Sequence, residues 1–480
     1  LISVTLVAGG IYLLTRWSPV VQARPVYSWA GTILLGYLAL RETQAENQMW
    51  TPVLWIGLAA VLGTAGRFWK DRALLWQTHV LAIAATGWTI YATFLANPAN
   101  HGTRTQLITV LITSAVLYGL TWVVHLKQTD AKQVVESDRI WQAYSWAGSL
   151  LLTWLGWYQL QPINVSLAWG AFGLLLFEIG YDKTSAYLRA QAYVALAGSF
   201  AHLFYSNFNT PLVPGTFDPH LLLIVFLVPI YFWVYWRLEG KTDRAASESR
   251  LQIAYLLACI GTATVAALAW FELPLETVVV GLAAIVFALL VVAWLTRLQV
   301  FLHQALIMLG VTVFRLSLHN FRNLTESFVS GLSSSVWAIA LLAVGLPIAF
   351  QLRSKNGKEH DQNPKGRFAT LVSRPEQPLF FAAVGLTAAL LYIRNQGMLL
   401  TLDWCIEGVV VILGAFFVKE KSFIWTGLIL LLASSGKIFV DLRHVDDASV
   451  RYLAMMGVGA IILVAGYLFA KNRDALREYL

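Results

Sequence analysis

Long apolar runs, each of 17 to 24 residues, recur from one end of the chain to the other. A helix rises about 1.5 Å per residue, so a run of this length covers a hydrocarbon core about 30 Å thick. In lipid, backbone polar groups must bond within the chain, and uninterrupted apolar runs achieve this as helices rather than as barrel strands. Only 12% of the residues are charged, about half the fraction found in ordinary soluble domains. We therefore predict an all-α, polytopic transmembrane protein.

We count 17 candidate spans along the sequence. The run that begins at Tyr27 is the shortest of them. The candidate spans begin near Leu1, Tyr27, Trp50, Ala73, Gln106, Ile140, Val165, Tyr187, Leu221, Leu251, Thr277, Leu302, Val336, Pro378, Met398, Ser422 and Ser449.

Basic residues divide unevenly between the two sets of alternating loops. Loops after odd-numbered spans, together with the C-terminal tail, hold 26 of the 34 Lys and Arg residues, and the other loops hold eight. By the positive-inside rule the first set is cytoplasmic, which predicts a multi-pass protein of the bacterial inner membrane with a cytoplasmic C-terminus. The excess positive charge then lies beside anionic headgroups, so we expect membrane lipids as partners and no nucleic acid.

Internal repeats organise these spans with a period of about 115 residues. Gln77 and Phe94 bracket 16 residues, and so do Gln191 and Phe208, and Gln304 and Phe321. The pentapeptide Tyr-Ser-Trp-Ala-Gly occurs twice, and a tryptophan recurs at positions 55, 169 and 404. We predict parallel four-helix repeats at 27–126, 140–238, 251–352 and 378–473, with a cytoplasmic linker at 353–377. Residues 1–17 are expected to be the last helix of a truncated preceding repeat.

Cofactor chemistry has little support in the sequence. Cys259 and Cys405 lie within apolar runs, where they form neither a disulfide framework nor a metal-ligand spacing. Histidines within the spans lie at unequal depths, which disfavours haem or pigment ligation. Phosphate loops, zinc motifs and serine triads have no counterpart either. We therefore predict no metal, no cofactor and no catalytic residue, and we expect binding rather than enzymatic activity.

The C-terminal end carries a distinctive group of residues, Gly436-Lys-Ile-Phe-Val-Asp-Leu442, followed by Arg451, Met456-Gly-Val-Gly459 and Tyr467. This segment resembles the closing signature of a large bacterial family known as domain of unknown function 2339. Members of that family have many spans and a Lys-x-x-x-Asp-Leu element followed by an arginine. The resemblance implies an inner-membrane location and carries no known mechanism.

Ionisable residues inside spans suggest a site, because each costs at least about 2.5 kcal/mol at mid-bilayer. Asp403 and Glu407 share one helix face, with Glu407 about 14 Å below the outer boundary. The next span places Lys437 at about the depth of Asp403. We predict that an outward-facing polar pocket in the C-terminal repeat binds substrate through Arg394, Asp403, Glu407, Lys437, Asp441 and Arg451. The competing interpretation is that these charges neutralise one another and hold helices together.

Three secondary basic positions lie toward the outer ends of earlier spans, at His202, Arg315 and Arg322. His202 and Arg315 hold equivalent places in the second and third repeats. Such side chains either extend to the outer headgroups, which we favour, or belong to a recurring site.

These features lead to two functional hypotheses. The first is binding or translocation of an anionic envelope component, with a lipid-linked molecule as one option, through the polar pocket. The second is a non-catalytic scaffold or subunit of a larger membrane complex. A third class, a lipid-directed intramembrane enzyme using Glu407, lacks a nucleophile nearby. A site predicts unpaired charge around Glu407, whereas a scaffold predicts closed ion pairs and a large apolar surface.

Overall fold

The computed structural model is entirely helical, with connecting turns, over the residues that it describes. These are residues 24–46, 48–95, 104–125, 131–207, 219–239, 252–320, 328–360, 374–395, 398–418 and 420–441, with isolated positions before and after. The predicted all-α class is confirmed for this part of the chain. Within it, eight helices are long and apolar enough to cross a membrane: Thr51–Phe68, Arg72–Leu95, Asn164–Asp182, Ile253–Glu272, Val278–Thr296, Gln299–Leu318, Ser333–Arg353 and Glu376–Arg394.

The chain forms two compact units, Leu1–Gly261 and Thr262–Leu480. The helices of the first unit are α1 (Arg24–Glu46), α2 (Thr51–Phe68), α3 (Arg72–Ile90), α4 (Arg104–His125), α5 (Ala131–Gln159), α6 (Pro162–Asp182), α7 (Ala186–His202) and α8 (Pro219–Glu239). The next helix, α9 (Ile253–Glu272), contains the boundary. The second unit continues with α10 (Val278–Thr296), α11 (Gln299–Arg315), α12 (Phe328–His360), α13 (Glu376–Arg394), α14 (Met398–Val418) and α15 (Lys421–Asp441).

Most of these helices begin within a few residues of a predicted start. The two clear differences are α5, which begins at Ala131 rather than near Ile140, and α12, which begins at Phe328 rather than near Val336. Hydropathy marks only the apolar stretch, whereas a helix continues through flanking polar residues that also favour helical geometry. The predicted starts at Leu1 and Ser449 fall mainly outside the described residues.

Short turns join neighbouring antiparallel helices into hairpins. The turn between α2 and α3 contains Lys70, and the turn between α6 and α7 contains Thr184, both with a φ of 54°. Asp71 then caps α3, because its Oδ1 accepts a hydrogen bond of 2.9 Å from the Ala73 N–H. Turns this short leave the paired helices little freedom and bring them into extensive contact.

One buried polar contact recurs between helices of both units. In the first unit, Nε2 of Gln77 donates to Oγ of Ser28 at 2.8 Å, and Nε2 of Gln191 donates to Oγ of Ser145 at 2.8 Å. In the second unit, Oγ1 of Thr262 donates to Oε1 of Gln304 at 2.6 Å. The three glutamines are those that bracket the sequence repeat. Each is buried, so the bond satisfies an amide that would otherwise be costly in an apolar core.

A second contact recurs through the tryptophans at the repeat spacing. Their indole N–H groups each donate to a backbone carbonyl of the preceding helix: Trp55 to Gly36 at 2.9 Å, Trp169 to Thr153 at 2.9 Å, and Trp404 to Ala388 at 3.1 Å. In addition, α3, α7 and α11 each run on into a π-helical turn, at Tyr91–Leu95, Leu203–Asn207 and Leu316–Asn320.

In the second unit, α14 and α15 approach each other closely. A Cβ added at Gly427 would lie 2.8 Å from the carbonyl oxygen of Gly408, so only glycine permits this approach. Beside this contact, Phe380 and Phe423 stack with their ring centroids 3.4 Å apart. These contacts fix α14 and α15 on one side of the site described below.

Candidate functional site

A cavity of about 680 Å³ lies in the second unit between α12, α13, α14 and the start of α15. We call it the lateral groove. Its lining comprises Ile339, Ala343, Leu346, Pro347, Phe350, Phe380, Ala383, Val384, Thr387, Glu407, Val410, Val411, Gly414, Val418 and Phe423. The volume lies within the range of about 300–1,000 Å³ that is typical of small-molecule sites, and such sites are mostly apolar with few polar groups.

Small residues leave the space that forms the lateral groove. Ala343, Ala383 and Gly414 project little or no side chain into it. A Cβ added at Gly414 would meet no atom within 4 Å, which agrees with open space at that point. Pro347, inside α12, removes a backbone donor and presents its flat ring to the same space.

The lateral groove opens through the side of the helical bundle. Three of its lining residues, Ala343, Pro347 and Val410, are exposed. The neighbouring Val344 and Ile406 are also large, apolar and exposed. The mouth therefore opens on exposed apolar helix faces rather than on a loop surface, and such faces are the ones that contact lipid in membrane proteins.

Glu407 is the one ionisable residue among the described residues that line the groove. Both of its carboxylate oxygens are buried, and neither has a hydrogen-bond partner within the part of the chain that the structure describes. An ionised carboxylate left unpaired in apolar surroundings costs several kcal/mol. The carboxyl group therefore requires either a proton or a donor supplied by a ligand.

One end of the groove adjoins a group of charged residues that sequence reasoning missed. Nη1 of Arg353 lies 3.3 Å from Oε1 of Glu376 and also contacts the carboxylate of Glu420. Both glutamates are buried. Phe350 and Phe423, which line the groove, are three residues away from Arg353 and Glu420 along the chain. The sequence carries a signal, since opposite charges flank consecutive apolar runs, but residues at the ends of such runs are ordinarily expected in exposed loops.

The groove does not bring the six predicted substrate-binding residues together. Of those whose side chains the structure describes, Glu407 lines it and Arg394, Asp403 and Lys437 do not. Asp403 instead accepts a hydrogen bond from the side chain of Asn395, beyond the end of α13. Arg394 is exposed and Lys437 is half-buried.

The lateral groove also extends in the direction opposite to the predicted pocket. From Glu407 it runs toward Phe350 and Phe423, at the end of the unit that carries Arg353, and away from the end that carries Arg394. The reason is that space opens beside Ala383 and Gly414, whereas Asp403 is already held by a neighbour. Asp441 is the last residue of α15, and its side chain is not among those that the structure describes. Arg451 and Arg322 lie outside the described residues.

The two secondary basic positions that the structure describes are buried among helices. Nδ1 of His202 lies 2.9 Å from Oγ of Ser166, and its ring packs against Trp157 and Trp169. This side chain therefore contacts a hydroxyl and two indoles within the bundle, and its expected extension to outer headgroups stays a prediction.

Arg315 is held in a similar way in the second unit. Its Nη2 donates to the carbonyl oxygen of Leu275 at 3.1 Å, and its guanidinium lies 4.8 Å from the centre of the Trp270 ring. Leu275 lies in the turn between α9 and α10, at the predicted outer end of these spans, so the expected outward extension stays a prediction. Both residues therefore support helix packing at these positions.

No protein-family model and no curated protein matches this chain. The resemblance to domain of unknown function 2339 accordingly stays a prediction. Among the described residues, no group of three or more His, Cys, Asp or Glu side chains could hold a metal ion. The lateral groove with Glu407 is therefore the arrangement on which a function can be argued.

Proposed function

We propose that this protein is a multi-pass inner-membrane protein that binds a bilayer-dissolved ligand in the lateral groove. The observation that carries the proposal is the unpaired carboxyl group of Glu407 within an otherwise apolar, side-opening cavity. Buried ionisable groups in membrane helices are expensive and usually mark a substrate or ion path. A cavity with a mostly apolar wall and one unpaired polar group suits an amphiphile that enters from the membrane.

The membrane topology in this proposal is the one that the sequence predicts: 17 spans in parallel four-helix repeats, with the C-terminus in the cytoplasm. Support for the repeat comes from contacts that recur at its spacing. Gln77, Gln191 and Gln304 all bond to a serine or threonine of an earlier helix. In the fourth repeat the corresponding region contains the stacked rings of Phe380 and Phe423 instead. This divergence is consistent with a specialised role for the last repeat.

The chemical nature of the ligand follows in part from the mouth of the groove. A long apolar molecule, including a lipid-linked envelope component, fits a site that opens through exposed apolar helix faces. The predicted anionic character rested on Arg394, Lys437 and Arg451. Arg394 and Lys437 are not found in the lining, and Arg451 lies outside the described residues. The proposal therefore does not require an anionic ligand. It does not require translocation of the ligand either.

The test is to fill the groove without changing charge. Gly414→Leu places a side chain in open space inside the groove, and Gly385→Leu places one at an exposed site on α13 that also has no atom within 4 Å. Native mass spectrometry of the purified proteins should show an apolar molecule bound to the wild type and to Gly385→Leu. Gly414→Leu should have lost it. Equal loading of all three proteins would overturn the proposal.

The second candidate function, a scaffold in a larger membrane complex, also has specific support. Nη2 of Arg237 lies 3.0 Å from Oε2 of Glu178, and Trp233 donates to the same carboxylate at 2.7 Å. Closed ion pairs of this kind are what a helix-holding role predicts. A scaffold predicts stable co-purifying membrane subunits and no effect of Gly414→Leu on bound lipid.

A further inference from the structure

We propose that the ligand of the lateral groove carries a hydrogen-bond donor, an amine or a hydroxyl, that meets Glu407, and that the groove discriminates against carboxylate amphiphiles. This inference rests on the proposed function, because it names the chemistry of the ligand for the same site. It commits the groove to one occupant, an amphiphile from the bilayer whose polar group donates.

The polar atoms of the lining are acceptors rather than donors. The oxygens of Glu407 have no partner among the described residues. Thr387 carries the other polar side chain in the lining, and its hydroxyl donates to the carbonyl oxygen of Ala383 at 2.8 Å. Its proton is therefore already used, and only its lone pairs face outward. While Glu407 is ionised, a ligand that accepts but does not donate finds no matching donor among these side chains.

Pro347 leaves a further acceptor on a second helix of the lining. Proline has no N–H, so residue 347 cannot donate to the carbonyl of Ala343, one helical turn earlier. Both residues line the groove. Ala343, whose carbonyl lacks this donor, and Glu407 thus belong to different helices that line the same space.

The nearest described cation does not change this balance. Arg353 is close to the end of the groove, but its guanidinium contacts both Glu376 and Glu420. It already serves two carboxylates, which disfavours its recruitment by an anionic headgroup. The electrostatic complement of the groove is therefore a neutral or cationic donor.

The experiment compares hexadecylamine with hexadecanoate, which have equal chain length and opposite hydrogen-bonding character. The full chain in detergent is incubated with both at neutral pH, and native mass spectrometry gives the ratio of bound amine to bound carboxylate. Measuring this ratio relative to that of Glu407→Leu cancels differences in micelle partitioning. We expect the wild type to favour the amine by about tenfold over Glu407→Leu, the size of one hydrogen bond to a charged group.

Two further variants make the outcomes separable. Glu407→Gln keeps the shape of the side chain and should lower the preference in the same direction, which guards against misfolding of Glu407→Leu. Gly385→Leu should retain the full preference. The inference is overturned if the wild type and Glu407→Leu give the same ratio while both still bind the probes. If neither probe binds the wild type better than it binds Gly414→Leu, the proposed function itself has failed. That result is expected if a segment of the chain fills the groove.

Discussion

Arg353 and Glu376 lie 3.3 Å apart, Nη1 to Oε1, across the gap between α12 and α13. The glutamate is fully buried, and the same guanidinium also contacts Glu420 beside the turn into α15. One cation on α12 therefore contacts the start of α13 and the residue before α15, at the border of the lateral groove. Removing one partner from such a group leaves charge without compensation, which costs more than the intact group contributes.

Arg353→Met should lower the free energy of unfolding of the second unit by on the order of 3 kcal/mol, because two carboxylates lose their shared cation. Thermal unfolding in detergent measures the change. Adding Glu376→Gln and Glu420→Gln to the same protein should restore much of the loss. Arg72→Met, at an exposed position at the start of α3, is the matched control and should have little effect. Equal stability of Arg353→Met and Arg72→Met would contradict the prediction.

Glu407→Leu should raise the stability of the protein by about 1–3 kcal/mol, since it replaces an unpaired buried carboxyl group with an apolar side chain. The matched control is Glu178→Leu, because Glu178 is bonded to Arg237 at 3.0 Å and to Trp233. That change should destabilise the protein. A loss of stability in both variants would mean that Glu407 has structural partners, and it would favour the scaffold hypothesis.

Gln191 offers a measurement of the recurring polar contact. Its Nε2 donates to Ser145 at 2.8 Å and its Oε1 accepts from Ser149 at 2.7 Å. A double-mutant cycle of Gln191→Ala with Ser149→Ala should give a coupling energy of about 0.6 to 1.7 kcal/mol, as for other hydrogen bonds between membrane helices. Gln161→Ala, at an exposed position before α6, should show no coupling to Ser149. Coupling indistinguishable from that control would remove the contact as a source of stability.

The predicted orientation can be tested at exposed turns of the first unit. Lys70 and Lys183 lie in the α2–α3 and α6–α7 turns, and Leu160 lies before α6. Cys259→Ser and Cys405→Ser first remove the native cysteines. In that background, we expect Lys70→Cys and Lys183→Cys to react with a membrane-impermeant maleimide only after the membrane is permeabilised. Leu160→Cys should react in intact cells. The reverse pattern would invert the topology, and with it the assignment of the Arg353 end of the second unit to the cytoplasmic side.

The helical class and most helix positions could be read from the sequence, because hydrophobicity and length alone decide whether a segment can be a membrane helix. The spacing of Gln77, Gln191 and Gln304 likewise indicated residues that make the same buried contact. The position of Glu407 inside an apolar run also indicated a carboxyl group that is hard to satisfy, and its oxygens have no partner among the described residues. These properties depend on residues close together in the chain or on a fixed rise per residue.

Only the tertiary structure decided which side chains meet. Asp403 and Glu407 share a helix face, yet Asp403 bonds to Asn395 while Glu407 borders the lateral groove. The buried placement of His202 and the shared contacts of Arg353 were equally invisible, because they depend on which neighbouring helix each face packs against. An apolar run specifies that a helix forms in lipid. It does not specify the neighbouring helix, because packing against one apolar helix gives nearly the same energy as packing against another. The choice among partners rests on small residues such as Gly408 and Gly427 and on a few polar contacts between distant parts of the chain.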